Sequence, residues 1–141
     1  MKAIFKTITL ALAGGALYYL FEFIFKAFTG GHRHWSMIIV GGLCFLYCGQ
    51  INKLFGWDMP LRLQMLLCAV GITAIELLAG YILNIKLGLG IWDYSGQPFN
   101  FAGQICISFT AIWYFLSLPA IVLDDYLRYW WYEEEKPRYR W

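Results

Sequence analysis

The sequence predicts an all-α integral membrane protein, a polytopic bundle of four transmembrane helices. Hydrophobic residues make up 60% of its 141 residues and charged residues 14%, a balance far from that of soluble proteins. Four apolar segments approach or exceed the roughly 20 residues that a helix needs to cross a bilayer. These segments lie in one domain, 1–141, at about 4–28, 35–51, 61–85 and 101–123, with a loop at 86–100 and a tail at 124–141.

The first segment begins like a secretory signal peptide. Lys2 and Lys6 precede an apolar run, and Ala11-Leu12-Ala13 resembles a cleavage site. However, the apolar run continues through LYYLFEFIF, which makes it too long for a signal peptide. We therefore interpret it as an uncleaved first transmembrane helix.

The distribution of basic residues predicts that both termini are cytoplasmic. Lysine and arginine are concentrated in the N-terminus, the second loop and the C-terminal tail, whereas the first and third loops hold only Lys26, Arg33 and Lys86. The positive-inside rule then places the loop at 86–100 outside the plasma membrane of a bacterium-like cell. A net charge of +2, spread over helix ends, implies no nucleic-acid partner.

Two acidic residues, Glu22 and Glu76, fall within predicted transmembrane helices. A carboxylate near the centre of such a helix costs about 2.5 to 3.5 kcal/mol on insertion scales, so each needs a compensating interaction or a function. Lys26 follows Glu22 by one helical turn, in the favourable order for an ion pair. A purely structural pair with Lys26 therefore explains Glu22 as well as a function does.

Glu76 has no basic neighbour on its own helical face and is the stronger functional candidate. Burial without a counter-charge favours the neutral acid, which leaves proton binding, cation binding and hydrogen bonding to a ligand open. The structural alternative is a hydrogen bond from neutral Glu76 to Gln104 or Ser108 across a helix interface. We favour a function, because ionisable groups inside membranes are functional by default.

The two halves of the chain resemble each other weakly. An apolar helix leads to Glu22 in the first half and to Glu76 in the second, and each is followed by a tryptophan, Trp35 or Trp92. This pattern suggests two helical-hairpin repeats related by an axis normal to the membrane.

The stretch IWDYSGQPFNF is polar and aromatic although it joins two transmembrane helices. Trp92 and Tyr94 are typical anchors at a membrane interface. Asn100 is a suitable N-cap for the fourth helix, and Asp93 adds a charge near the outer ends of the helices. The loop is therefore a candidate rim for a polar binding site.

The tail, LRYWWYEEEKPRYRW, combines aromatic and charged residues. Its Trp130, Trp131 and Tyr132 are predicted at the level of the lipid headgroups. For Glu133 to Arg140, a solvated chain end is favoured over docking of a partner, because termini are usually loosely tied down.

The cysteines and histidines give no strong metal signature. His32 and His34 flank Arg33 in a polar loop, which is more typical of an interface than of a metal or haem site. His34 is also a candidate hydrogen-bond partner for Glu22 or Asp93. We predict no metal and no cofactor. The cysteines lie within apolar segments, where they are usually small buried hydrophobes, at Cys44, Cys48, Cys68 and Cys106.

Several motifs together resemble the CmpB family of ABC-transporter type IV membrane proteins. They are WDYSGQPFNFAGQICISF, HWSM, GQIN and IELLAGYILN, and the resemblance covers nearly the whole chain. It implies a multi-helix membrane protein of the permease type. Carried onto this chain, the recurring polar positions of the family are Glu22, His34, Trp35, Asn52, Glu76, Asn84, Trp92, Asp93, Tyr94, Asn100 and Gln104.

Asn52 differs from the others in this set because it falls at the predicted cytoplasmic end. There it lies near Asp124, Asp125 and Arg128, so we expect it to take part in helix capping and ion pairing rather than in contact with a substrate.

These features predict a protein that binds, and transports, a small polar or amphipathic solute through an outward-facing polar pocket. Two alternatives stay open: an intramembrane enzyme that uses buried carboxylates, and a structural or regulatory subunit of a membrane complex. The enzyme is less favoured because no Ser or Cys nucleophile motif accompanies the acidic residues. The predicted pocket is lined by Glu22, Glu76, Asn84, Asp93, Asn100 and Gln104.

The expected partners are the lipid bilayer, the solute and a second membrane protein. Four helices with short polar faces enclose at most a narrow pathway, so we expect a homodimer or a partner membrane subunit. Small residues that permit close approach of helix backbones lie at Gly14, Gly15, Gly41 and Gly42.

Overall fold

A computed structural model describes residues 1–141, which form a bundle of four long helices. Each helix is long and apolar enough to cross a membrane, which confirms the predicted all-α transmembrane bundle. The protein is an integral membrane protein. Helices α1 to α4 span Lys2–Thr29, Ser36–Phe55, Leu61–Gly80 and Ile107–Tyr132, a π-helical segment extends α3 over Tyr81–Lys86, and strands β1 and β2 are Asn100–Phe101 and Ile105–Cys106.

The antiparallel helices give the bundle two ends. The loop-side end carries the α1–α2 and α3–α4 connections, and the tail-side end carries the N-terminus, the α2–α3 connection and the residues after α4. The cytoplasmic location of the termini stays a prediction from the basic residues.

The fourth helix differs from the predicted span 101–123. It begins only at Ile107, because β1 and β2 pair into a short antiparallel hairpin just before it. It continues to Tyr132 because Asp124, Asp125 and Arg128 are buried within the bundle and do not end the helix in solvent. Half of the predicted tail is therefore helix.

The paired glycines of α1 and α2 pack these two helices against each other. A Cβ atom on Gly42 would lie 2.6 Å from the carbonyl oxygen of Ala11, and one on Gly15 would collide with the carbonyl oxygen of Ile38. Gly14 and Gly41 likewise leave room for Phe45 and Tyr18. The close backbone approach predicted at these glycines is confirmed within one chain, and the homodimer or partner subunit stays a prediction.

The hydrophobic core lies mainly between α2, α3 and α4. It contains Cys48, Ile51, Cys68, Ile72 and Ile121, all buried. Helix α1 packs closely along α2 but touches α4 much less. The side of α1 that faces α2 is therefore packed along its length, whereas the side that faces α4 borders a cavity.

The residues after α4 contact the tail-side end at a few points, although most of their charged residues are exposed, as a solvated end predicts. The N–H of Leu61 donates to the carbonyl oxygen of Arg140 at 2.6 Å, and the hydroxyl of Tyr139 donates to Asp125 at 2.8 Å. Pro137 is buried. Tyr139 and Pro137, which lie among the charged residues, make this contact. The charged residues of the tail led to the prediction of a solvated end, so the contact was not predicted.

Candidate ligand-binding site

The loop between α3 and α4 folds back over the loop-side end of the bundle. Asn84, in the π-helical segment, accepts a hydrogen bond from the N–H of Ile91 at 2.7 Å and donates one to Gln104 at 2.8 Å. Trp92 donates to the carbonyl oxygen of Gln104 at 2.9 Å. Gly80 leaves room for the Gln104 side chain, since a Cβ there would lie 2.5 Å from its Oε1 atom. Asn84 and Gln104 therefore hold the loop in place.

Asp93 and Asn100 stabilise the turn of the loop. Asn100 accepts a hydrogen bond from the N–H of Gly103 at 3.1 Å and donates to the carbonyl oxygen of Gln97 at 2.8 Å. The N–H of Ser95 donates to Asp93 at 2.9 Å and lowers the pKa of this exposed carboxyl. The predicted capping role of Asn100 was wrong, because Cys106 is the N-cap residue of α4.

Glu76 lies beneath this loop and accepts two hydrogen bonds. The hydroxyl of Tyr94 donates to one carboxylate oxygen at 2.8 Å, and the indole N–H of Trp113 donates to the other at 3.0 Å. The ring of Tyr94 stacks on Phe109 with centroids 4.4 Å apart. Burial and the adjacent Glu76 raise the pKa of Tyr94, so its hydroxyl stays a donor. The expected partners, Gln104 and Ser108, are not the ones that Glu76 uses.

Glu22 pairs with Lys26, as the spacing on α1 predicts. The two charges are 3.1 Å apart. The ammonium of Lys26 also donates to the carbonyl oxygens of His32, at 2.6 Å, and Ile91, at 3.2 Å. Lys26 therefore joins α1 to both loop-side connections. The second carboxylate oxygen of Glu22 is buried and has no hydrogen-bond partner.

A cavity of about 390 Å³ extends from this polar end into the bundle between α1, α2 and α4. Its lining is mostly hydrophobic, and Glu22, Lys26 and Glu76 contribute the charged groups. Leu17 on α1 is 45% exposed and Ile112 on α4 is 39% exposed, so the cavity opens between these two helices toward the apolar outer surface.

Some of the sequence-predicted site residues line the cavity, namely Glu22, Glu76, Trp92 and Tyr94. The others bond elsewhere. Asn84 and Gln104 bond to each other, and Asp93 and Asn100 bond to their own loop. His34 is bonded to Ser36 through a 2.7 Å contact and to neither Glu22 nor Asp93. Trp35 is 64% exposed and stacks only on His34.

Two residues that bond to the acidic side chains of the cavity were missing from the predicted set. Trp113 holds Glu76, and Lys26 was treated only as a counter-charge. A signal for Trp113 was present, since an indole N–H within a membrane-spanning helix needs an acceptor and buried carboxylates are scarce.

A second cluster of buried charges lies at the tail-side end, where Asn52 was expected to join ion pairs. Asn52 donates to Asp125 at 2.6 Å, and Lys53 pairs with the other oxygen of Asp125 at 2.9 Å. Arg128 pairs with Asp124 at 2.6 Å. Asn52 therefore hydrogen-bonds to a residue of an ion pair. None of these residues lines the cavity between α1, α2 and α4.

A family model described as "Putative ABC-transporter type IV" matches residues 10–134. The chain belongs to this family. The match includes every cavity residue and both polar clusters, so the site described above lies within the family domain. The family description and the four apolar helices both indicate a membrane protein. No curated protein and no solved structure matches the chain.

Proposed function

We propose that the protein binds a single-chain amphipathic molecule in the cavity between α1 and α4, as a step in the transport of that molecule. The cavity itself carries the proposal, because it joins a long apolar interior to a charged end within one chain. Its volume of about 390 Å³ lies in the range of small-molecule binding sites, about 300 to 1,000 Å³.

The apolar part of the cavity suits an alkyl chain. Phe21 on α1, Phe45 on α2 and Leu116 on α4 are among the side chains that line it. Because Leu17 and Ile112 at the opening are also partly exposed, an alkyl chain can enter sideways from the lipid without crossing a polar barrier. A strictly polar solute would lose its hydration in this interior and gain few hydrogen bonds.

The polar part suits a head group at the loop-side end. Glu22, Lys26 and Glu76 lie there beside the aromatic rings of Trp92 and Tyr94. The positive-inside rule supports an outward location for this end. The family description supports transport as the purpose of the binding.

A pair of tryptophan substitutions on α4 tests this proposal. Ile112→Trp adds bulk inside the cavity, whereas Phe115→Trp adds bulk to a side chain that is 69% exposed and does not line it. Equilibrium binding of radiolabelled dodecylamine, dodecanol and dodecyl sulfate is measured on protein in zwitterionic lipid nanodiscs, with empty nanodiscs as the blank.

We expect saturable binding of at least one amphiphile to the wild-type protein. Ile112→Trp should weaken it by about tenfold or more, the scale of overpacking in a filled site, and Phe115→Trp should leave it unchanged. Binding no greater than that of empty nanodiscs, or an equal loss in both variants, would show that the cavity does not hold amphiphiles.

A further inference from the structure

The polar end of the cavity has more acidic than basic side chains. Two acidic residues, Glu22 and Glu76, and one basic residue, Lys26, line it. Lys26 pairs with Glu22 and donates hydrogen bonds to the carbonyl oxygens of His32 and Ile91. Its ammonium is therefore already engaged by groups of the protein.

Other basic groups of the loop-side end do not compensate this excess. The guanidinium of Arg33 lies 4.1 Å from the ring centre of Phe23, and the ring of His34 is bonded to Ser36. Neither residue lines the cavity or bonds to its acidic side chains, and the same holds for the side chains of His32 and Lys86.

Both carboxyl oxygens of Glu76 accept hydrogen bonds, but Oε2 of Glu22 accepts none. Tyr94 and Trp113 each donate to one oxygen of Glu76. Glu22 is only 8% exposed, and its Oε2 atom has no donor although the residue lines the cavity. A buried acceptor without a donor is unfavourable, so a ligand in the adjoining cavity that supplies a donor to Glu22 would gain affinity.

Aromatic rings surround the same end of the cavity. Tyr18, Trp92, Tyr94 and Trp113 all contribute to its lining. The faces of such rings attract cations, particularly where water is excluded. The aromatic lining and the excess of carboxylates therefore favour the same type of head group.

We propose that the ligand is a cationic amphiphile, an alkyl chain that carries a primary ammonium, and that this ammonium donates a hydrogen bond to the carboxylate of Glu22. This inference rests on the proposed function and adds the chemistry of the head group. An ammonium supplies both the missing donor and the missing positive charge, whereas a hydroxyl supplies only the donor and a sulfate supplies neither.

Head groups compared on one dodecyl chain test the inference. Dodecylamine, dodecanol, dodecyl sulfate and dodecyltrimethylammonium are measured separately on protein in zwitterionic nanodiscs, against empty nanodiscs. We expect dodecylamine to bind at least about tenfold more tightly than dodecanol, the factor that a charge-assisted hydrogen bond contributes. Dodecyltrimethylammonium, which has the charge but no N–H donor, should lie between them, and dodecyl sulfate should be the weakest.

Two carboxyl-to-amide variants separate the role of Glu22 from a general charge effect. Glu22→Gln should reduce the preference for dodecylamine over dodecanol to about threefold or less. Asp93→Asn removes one negative charge from the same end of the bundle at an exposed residue outside the cavity, and should keep the full preference. If Glu22→Gln does not fold, Lys26→Gln gives a second measurement, because it frees the other Glu22 oxygen and should strengthen dodecylamine binding.

The outcomes distinguish this inference from the proposed function. Equal binding of all four amphiphiles would overturn the cationic head group and leave the amphiphile site in place. The same would follow if Glu22→Gln and Asp93→Asn reduced the preference equally. No saturable binding of any of them would overturn both.

Discussion

The two ends of the bundle both contain buried carboxylates, but they use them differently. At the tail-side end, Asp125 accepts hydrogen bonds from Asn52, Lys53 and Tyr139, and it lines neither of the two main cavities of the bundle. At the loop-side end, Glu22 and Glu76 border a cavity of about 390 Å³. The first arrangement joins helices, and the second leaves room for a molecule.

An unpaired oxygen alone does not distinguish the ends. Asp124 also has a buried carboxylate oxygen without a donor. However, Asp124 packs so closely on Gly49 that a Cβ atom there would collide with its carboxylate, and Asp124 does not line the cavity beside Glu22 and Glu76. A buried charge is therefore a candidate for ligand binding only where open space adjoins it.

The largest expected effect on stability comes from replacing Arg128 at the tail-side end. Arg128 is 5% exposed and pairs with Asp124, which is fully buried. Arg128→Met leaves that charge unpaired, and the free energy of unfolding should fall by about 3 to 5 kcal/mol. Arg138→Met is the control, because the ion pair of Arg138 with Glu135 is exposed and should contribute about 0 to 1 kcal/mol. Denaturant titration in mild detergent measures both. Equal losses would mean that the tail-side cluster does not stabilise the fold.

Gly49 offers a smaller perturbation of the same cluster. Gly49→Ala places a methyl group against the Asp124 carboxylate and should cost about 1 to 3 kcal/mol of unfolding free energy. Gly96→Ala is the control, since no atom lies within 4 Å of a Cβ built there. The same denaturant titration applies. A Gly49→Ala protein as stable as wild type would show that α4 can move away from α2 at little cost.

The loop-side end should lose binding more readily than stability. Glu76→Gln keeps the size of the side chain, but its amide group faces one of the two donors, Tyr94 or Trp113, and one hydrogen bond is lost. We expect a cost of about 1 to 3 kcal/mol, below that of Arg128→Met. Amphiphile affinity should fall while the thermal transition stays cooperative. Glu76→Leu with unchanged affinity would show that Glu76 only joins helices.

The smallest expected effect is the pH dependence from Tyr139. Burial, and then the adjacent Asp125, raise the pKa of this tyrosine in the folded protein. Its contribution to stability is complete below the pKa of the unfolded chain, about 10, and is lost as the pH rises through the folded value, because the unfolded chain releases the proton first. Thermal midpoints between pH 8 and 11 should therefore fall less steeply in Tyr139→Phe than in wild type. Parallel curves would contradict this contribution.

Much of the fold could be predicted from the sequence because membrane spans are set by length and hydropathy. The Glu22–Lys26 pair was also predictable, since a spacing of four residues fixes neighbours on a helix. The start of α4 was not, because Ala102 and Gly103 adopt positive φ angles of 53° and 69° in the hairpin turn, and an alanine gives no signal of this.

The partners of Glu76 depend on how the loop folds over the helices. Sequence spacing suggested Gln104 and Ser108, but the return of the loop places Tyr94 over Glu76 and turns Gln104 toward Asn84. The glycines of α1 and α2 illustrate the same limit. Their pattern predicts close packing but does not say whether the partner helix belongs to the same chain.

The most direct test of the amphiphile cavity is fluorescence quenching of Trp113 by dodecylamine brominated in the middle of its chain. Trp113 is 7% exposed but lines the cavity, so bulk lipid reaches it poorly and a bound chain contacts it. Quenching is measured in nanodiscs for wild type and for Trp113→Phe, and unbrominated dodecylamine competes for the site. We predict saturable, competable quenching that is clearly smaller in Trp113→Phe than in wild type, because the other six tryptophans remain in the variant. Equal quenching in both proteins, or quenching that the competitor does not reduce, would contradict the presence of an alkyl chain in the cavity.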